Sequence, residues 1–410
     1  MRRCPTRALV ITLVAWLVAT PAPLFAQNGG NGGEPIVIGY RVTLHSQILN
    51  EDRPLWVYTP PGYDQSTDAY PVLYLLDGRG HFHHTTGAMQ FLAANNRMPE
   101  MIVVAIPNTD RTRDLTPPAS VADASQFPAA GGADNFLRFI REELQPWVER
   151  EFRTQPYRVL VGHSFGGLFA MHTLITHPET FNAYISISPS LWWNAEATVR
   201  NGESLFTDHP DLKGSLYMTM GNEGGRMLAG AWGFARILET SAPESFDWEW
   251  TPMEAEDHGS VPHRSTYDGL EWLFRAWNPP GLMPRAVAAG ADGLAIIEAH
   301  YAGLSERVGY SVPVPEGTIN QMGYALLGQQ KVDDAIMIFR ANVDRHPGSA
   351  NVYDSLGDAL AAACRSEEAR DSYGRAYERA AANSHPNTAV YKANFDRVSE
   401  EIVGGVACTP

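Results

Sequence analysis

The stretch that decides the fold is Tyr157-Arg158-Val159-Leu160-Val161 followed by Gly162-His163-Ser164-Phe165-Gly166-Gly167. An apolar run of five runs straight into Gly-x-Ser-x-Gly, and an apolar helical pattern opens behind it over 167–175. The pentapeptide alone arises by chance in roughly one chain in ten of this length. Between a strand and a helix it carries more meaning. A strand–turn–helix elbow forces its serine into a strained, exposed position, and the flanking glycines let the backbones pass closely. The helix N-terminus also favours negative charge developing beside that serine.

The same alternation extends outward. Residues 36–48 and 54–59 read as paired strands. The runs 71–76 (PVLYLL), 101–106 (MIVVAI), 157–161 and 182–187 (NAYISI) are short, apolar and closed by Gly, Asp or Pro. Such runs suit strands buried on both faces of a parallel sheet. Residues 214–220 and 246–253 are two less uniform strands. Helix patterns lie between them at 133–152, 166–176 and 230–240. Strand–helix alternation predicts a doubly wound α/β fold.

A serine hydroxyl needs a base to become a nucleophile, and the base needs an orienting acid. After such an elbow the chain order is Ser, then Asp or Glu, then His. The strand 214–220 ends in Gly221-Asn222-Glu223, so Glu223 is the candidate acid. The last strand is followed by Glu254-Ala255-Glu256-Asp257-His258-Gly259, which offers His258 as base, with His263 as the alternative. Asp257 suits the acid poorly, because sequence neighbours seldom point at one another. The oxyanion of a tetrahedral intermediate calls for two donors. One is the Phe165 backbone N–H. The other comes from the loop Leu76-Asp77-Gly78-Arg79, as the N–H of Arg79 or of Gly78.

His81, His83 and His84 crowd four positions, a density that suggests a metal site. No carboxylate or cysteine at ligand spacing accompanies them, so the reading here is no metal, with His81 lining the cleft or capping the next helix. No cofactor of any kind is required by this chemistry.

These residues resemble a known family. Segments 73–82 (LYLLDGRGHF), 102–117 (IVVAIPNTDRTRDLTP), 162–167 (GHSFGG), 188–194 (SPSLWWN) and 256–261 (EDHGSV) are similar to the esterase family of α/β-hydrolases, nearest its siderophore trilactone esterases. Feruloyl and acetylxylan esterases and antigen 85 acyltransferases are more distant. The resemblance spans about 35–277. It implies an α/β-hydrolase fold, a Ser164 nucleophile, a His258 base, a backbone donor near Arg79 and, less firmly, a Glu223 acid. It also suggests cleft walls. Trp192 and Trp193 follow a strand whose C-terminal end faces the site, where ligands of open α/β sheets bind. Arg111 and Arg113 would grip an anionic ligand or else form a salt-bridged loop with Asp110 and Asp114. The expected activity is hydrolysis of a small-molecule ester through an acyl-enzyme. Acyl transfer to an alcohol is a second reading, and a repeat-mediated binding protein with a relic hydrolase domain a third.

The ends of the chain have other grammars. Arg2, Arg3 and Arg7, an apolar stretch over 8–19 and the small-residue exit at Ala26 form a secretory signal, with Ala22 as the other cleavage point. The run is short for a transmembrane helix. Residues 27–34 read as a flexible spacer, 35–280 as the hydrolase domain and 281–316 as a linker with a helix. The mature protein is expected in the periplasm or outside the cell, with no stable membrane insertion. Over 317–410, Ile319, Met322, Gly323, Leu326, Ala335 and Phe339 recur as Tyr353, Leu356, Gly357, Leu360, Ala369 and Tyr373, each 34 residues on. That is the tetratricopeptide period and much of its pattern. A capping helix over 387–403 would follow. Two repeats call for a further helix, near 291–307, or the hydrolase domain to pack on, and they offer a surface for a second copy or a protein partner. Cys364 and Cys408 stay after export and could bridge. The 410 residues carry a net charge of −15. That surplus of acid excludes a basic nucleic-acid face.

Overall fold

The structure, a computed structural model, describes residues 34–405. The expected signal, most of the spacer and Cys408 lie outside them. Cys364 is disulfide-bonded. No helix among the described residues is long and apolar enough to cross a membrane.

Eight strands build one sheet in the order β1-β2-β4-β3-β5-β6-β7-β8. They are β1 (Tyr40–Ser46), β2 (Glu51–Tyr58), β3 (Tyr70–Leu76), β4 (Ile102–Ile106), β5 (Thr154–His163), β6 (Ala183–Ile187), β7 (Gly214–Gly221) and β8 (Phe246–Met253). β1 and β2 join antiparallel, and β2 joins β4 antiparallel. From β4 to β8 every pairing is parallel. β3, β4 and β6 are buried at every position, as strands covered on both faces must be. This is the expected α/β-hydrolase architecture. The eight strands read from the sequence are present, with ends moved by up to four residues.

Helices cover both faces. On one side lie α1 (Gly78–Ala94) and α9 (Val261–Leu273). Their Phe82, Met89, Leu92, Leu270 and Leu273 pack with Leu73, Val103 and Ile185. On the other lie α2 (Arg111–Leu115), α3 (Val121–Gln126), α4 (Ala133–Phe139), α5 (Gln145–Glu151), α6 (Phe165–Thr176), α7 (Trp193–Asp208) and α8 (Gly225–Ser241). A π-helical turn at Ile140–Leu144 joins α4 to α5, so the pattern read over 133–152 is one interrupted helix. The histidine-rich stretch is helical rather than a loop. Gly78, Gly80 and three histidines hide the pattern, yet Phe82, Met89 and Leu92 share the sheet-facing side.

The chain continues into α10 (Leu282–Ala288), α11 (Gly293–Val308), α12 (Glu316–Gly328), α13 (Val332–Arg345), α14 (Ala350–Ala362), α15 (Ser366–Ala382) and α16 (Thr388–Val403). Leu282, Ile297, Tyr301 and Leu304 share a core with Ile319, Met322, Leu326 and Phe339, so α12 and α13 rest on α10 and α11. One contact recurs 34 positions on. A Cβ at Gly323 would lie 2.5 Å from the Phe339 ring, and one at Gly357 would lie 2.6 Å from the Tyr373 ring.

Candidate active site

Ser164 sits between β5 and α6 with φ 61 and ψ −115. This is a backbone conformation that L-residues avoid, and strain of this kind persists only where surroundings over-determine it. The over-determination is visible. A Cβ at Gly162 would fall 2.2 Å from the Gly166 carbonyl oxygen, and one at Gly167 would fall 2.9 Å from that of Ile187. Only glycine fits either place. Ser164 stands at the N-cap of α6, yet its hydroxyl makes no capping bond, so it is not spent on the backbone.

Glu223 follows β7 and His258 follows β8, two adjacent parallel strands. Their loops are stitched together where Asn222 N–H donates to the Glu256 carbonyl at 2.7 Å. His258 Nδ1 then donates to Glu223 Oε2 at 2.6 Å. The Glu223 side chain is 9% exposed and that of His258 43%. The imidazole edge left over is Nε2, which has no hydrogen-bond partner among the described residues. The His258 ring lies against the ring of His163, with centroids 4.5 Å apart. His163 precedes Ser164, so this contact sets the elbow and the His258 loop side by side. Asp257 is occupied otherwise: its Oδ1 accepts from the N–H groups of Gly259 and Ser260. His263 lies on α9, stacked on His84 at 5.2 Å, and has no bond to Glu223.

Two helix N-termini meet the elbow. Phe165 opens α6 and Gly78 opens α1, and first-turn N–H groups have no intrahelical acceptor. The N–H groups of Phe165 and Arg79 both belong to such turns. Asp77 precedes α1 in the left-handed region, φ 54 and ψ 37.

Histidines continue from the site. The His81 ring meets that of His163 at 5.8 Å, and His81 Nδ1 lies 3.0 Å from His84 Nε2. Burial, reinforced by the neighbouring His258 and His81, pulls His163 down to about 3. Burial, with His81, His263 and His83 adding, pulls His84 to about 4. Both rings are neutral at neutral pH. No group of three or more His, Cys, Asp or Glu among the described residues could hold a metal ion.

Three substrate-binding expectations need correction. Trp193 is only 1% exposed and donates Nε1–H to the Pro117 carbonyl at 3.0 Å, so it is a core residue. Trp192 is partly exposed. Arg113 spends itself on Glu51 and Asp114, both at 2.7–2.8 Å. Arg111 grips Asp77 through Nε at 2.7 Å and Nη2 at 2.9 Å. Both arginines are salt-bridged, Arg113 to Asp114 within the loop and to Glu51 outside it, Arg111 to Asp77 outside it and to neither Asp110 nor Asp114. The sequence reading missed Arg226, whose guanidinium lies 4.1 Å from the centre of the Trp192 ring, and it gave no role to Asp77 or Asn108. A cavity of about 640 Å³, lined among others by Tyr157, Asp247, Arg275 and Arg307, opens at the opposite, N-terminal ends of the strands. Asp247 there already holds both arginines.

Residues 46–244 match the family described as "Putative esterase". Over 203 residues the chain is 32% identical to the ferri-bacillibactin esterase of Bacillus subtilis (strain 168), covering 44% of this chain and 67% of that one. The chain belongs to this esterase family. It is also 38% identical over 195 residues to the siderophore triacetylfusarinine C esterase of Aspergillus fumigatus, covering 43% of this chain and 60% of that one. Matches to the first three curated relatives span 58–67% of their lengths. Among solved structures, an IroE-like serine hydrolase from Shewanella oneidensis superposes with a TM-score of 0.63 at 30% identity, over 74% of this esterase and 98% of that protein.

Proposed function

We propose that this protein is an exported serine esterase acting on small-molecule esters of the siderophore lactone class. The observation that carries the reading is the 2.6 Å bond from His258 to Glu223, beside a strained Ser164, in a family whose members include siderophore esterases.

In the proposed cycle His258 Nε2 takes the Ser164 hydroxyl proton as Oγ bonds to the ester carbonyl carbon. The carbonyl electrons move to oxygen, where the Phe165 and Arg79 N–H groups receive them. The intermediate collapses, the C–O bond to the alcohol breaks, and His258 gives the alcohol its proton. Water then attacks the acyl-enzyme, His258 takes its proton and Ser164 leaves with it. Glu223 holds Nδ1–H throughout and stabilises the imidazolium.

The export part of this reading rests on the secretory leader expected over 1–26. The paired hairpins of α12 to α15 are assigned as tetratricopeptide-like, a stabilising appendage and partner surface. The test is an ester panel with product mass spectrometry, Ser164→Ala as blank. A ferric catecholate trilactone, a feruloyl sugar, an acetylated xylo-oligomer and p-nitrophenyl acetate make up the panel. Ser164-dependent opening of the trilactone is the expected result. Cleavage of the sugar esters alone would move the substrate class to carbohydrates.

A further inference from the structure

We propose that Arg111 is a positioning residue for ester cleavage. It ties together the two helix N-termini that receive the oxyanion and neutralises a buried carboxylate beside them. The inference rests on the serine-esterase reading and adds a residue to it.

Asp77 caps no helix with its side chain. The carboxylate turns toward the nucleophile helix instead: a Cβ at Gly166, the second residue of α6, would lie 3.2 Å from Asp77 Oδ2. It is 12% exposed. A negative charge held there opposes the negative charge that develops on the substrate oxygen, and low-dielectric surroundings strengthen the opposition. Arg111 meets it with two parallel bonds, Nε to Oδ1 and Nη2 to Oδ2. Asn108 Nδ2 adds a third at 2.6 Å. The same Nη2 donates to the His163 carbonyl at 3.1 Å, one residue before the nucleophile. The guanidinium also lies 5.5 Å from the centre of the Phe165 ring. One planar group therefore touches the residue preceding Gly78 and Arg79, the residue preceding Ser164 and the residue following it. A lysine ammonium could not make these contacts together, being a point charge without the fork.

The groups facing Asp77 are Arg111 from α2, Asn108 from the loop after β4, His81 from α1 and the His163 ring from β5. Burial pushes the Asp77 carboxyl up. The bonds and charge of Arg111, the Asn108 bond and His81 outweigh it and hold it below the usual carboxylate range. With Arg111 gone, burial prevails and the carboxyl ionises at higher pH.

The experiment measures kcat and KM for p-nitrophenyl acetate across pH in Arg111→Met, Arg111→Lys and Arg111→Met/Asp77→Asn, with thermal denaturation alongside. Arg111→Met should lower kcat roughly 10- to 100-fold at pH 8 with KM within about threefold, the pattern of an interaction made in the transition state. Its deficit should shrink as pH falls and Asp77 takes a proton. Asp77→Asn in the same chain should recover most of the loss, because it removes the uncompensated charge. If Arg111→Met does not fold, Arg111→Lys carries the test: a loss of about three- to tenfold without a new pH limb is expected. Wild-type kcat in either single variant overturns the proposal. So does a double variant no faster than Arg111→Met, which would mark Arg111 as merely structural. Ser164→Ala is run in parallel. Activity surviving in Ser164→Ala sinks the serine-esterase reading itself. An inactive Ser164→Ala beside a fully active Arg111→Met sinks this inference alone.

Discussion

His258 Nδ1 lies 2.6 Å from Glu223 Oε2, and 35 residues of chain separate the two. The bond exists because β7 and β8 are parallel neighbours whose C-terminal loops open on the same edge. In the proposed triad Glu223 fixes the tautomer that leaves Nε2 free to accept a proton and steadies the imidazolium that results. Glu223→Gln keeps the shape and can present either an acceptor or a donor to the ring. The expected outcome is a kcat lower by roughly 10²- to 10⁴-fold with little change in KM. Steady-state kinetics on p-nitrophenyl acetate check it. A loss under threefold would remove Glu223 from the triad.

The two adjacent tryptophans should separate cleanly. Trp193 is buried against Phe127 and Phe165 and bonded to Pro117. Trp193→Ala should cost about 3–5 kcal/mol of stability. Trp192, partly exposed beneath Arg226, should cost less as Trp192→Ala and instead raise KM for an aromatic ester severalfold. Urea unfolding with a KM series on each variant measures both. Equal stability losses with unchanged KM would contradict the assignment of Trp192 to the cleft wall.

Acid should weaken the fold through His163. In the unfolded chain its ring takes a proton near 6.5, whereas in the native protein it does so only near 3. Between those values the unfolded state binds more protons, so stability falls as pH falls. From pH 7 to pH 5 this one group accounts for on the order of 2 kcal/mol. The difference in unfolding free energy between pH 7 and pH 5 should therefore be smaller in His163→Gln than in the parent. Equal differences would mean that the ring is not held neutral.

Cutting the chain after residue 316 should not release an intact hydrolase unit. Ile297, Tyr301 and Leu304 on α11 share their core with Ile319, Met322 and Leu326, and the cut exposes them. A lower Tm and aggregation at the truncated end are expected, read by calorimetry and size-exclusion chromatography. A truncated protein of unchanged Tm would show the hairpins to be energetically independent.

Much of this was legible in the residues. The parallel strands announce themselves because burial on both faces demands unbroken apolar runs, as in IVVAI and PVLYLL. The elbow is legible because Gly162 and Gly167 leave no room for a Cβ. Glu223 and His258 follow from the order of strand ends. What stayed hidden depends on the third dimension. α1 hides behind glycines and histidines, since its sheet-facing residues are spread thinly along it. The sequence shows that Trp192 and Trp193 lie together but not which one turns inward. The pairing of Arg111 with Asp77 joins the first residue of α2 to the residue before α1, 34 positions apart, and no local pattern marks it. The recurrence of Gly323 and Phe339 as Gly357 and Tyr373 was visible as a period, and the structure repeats that contact in both hairpins.

The central claim is that Ser164 is the nucleophile, and covalent labelling tests it most directly. The protein is treated with a fluorophosphonate, digested, and the modified residue located by mass spectrometry. The account predicts a single adduct on the peptide carrying Ser164, lost in Ser164→Ala together with ester hydrolysis. An adduct on another residue, or hydrolysis that survives in Ser164→Ala, would contradict it.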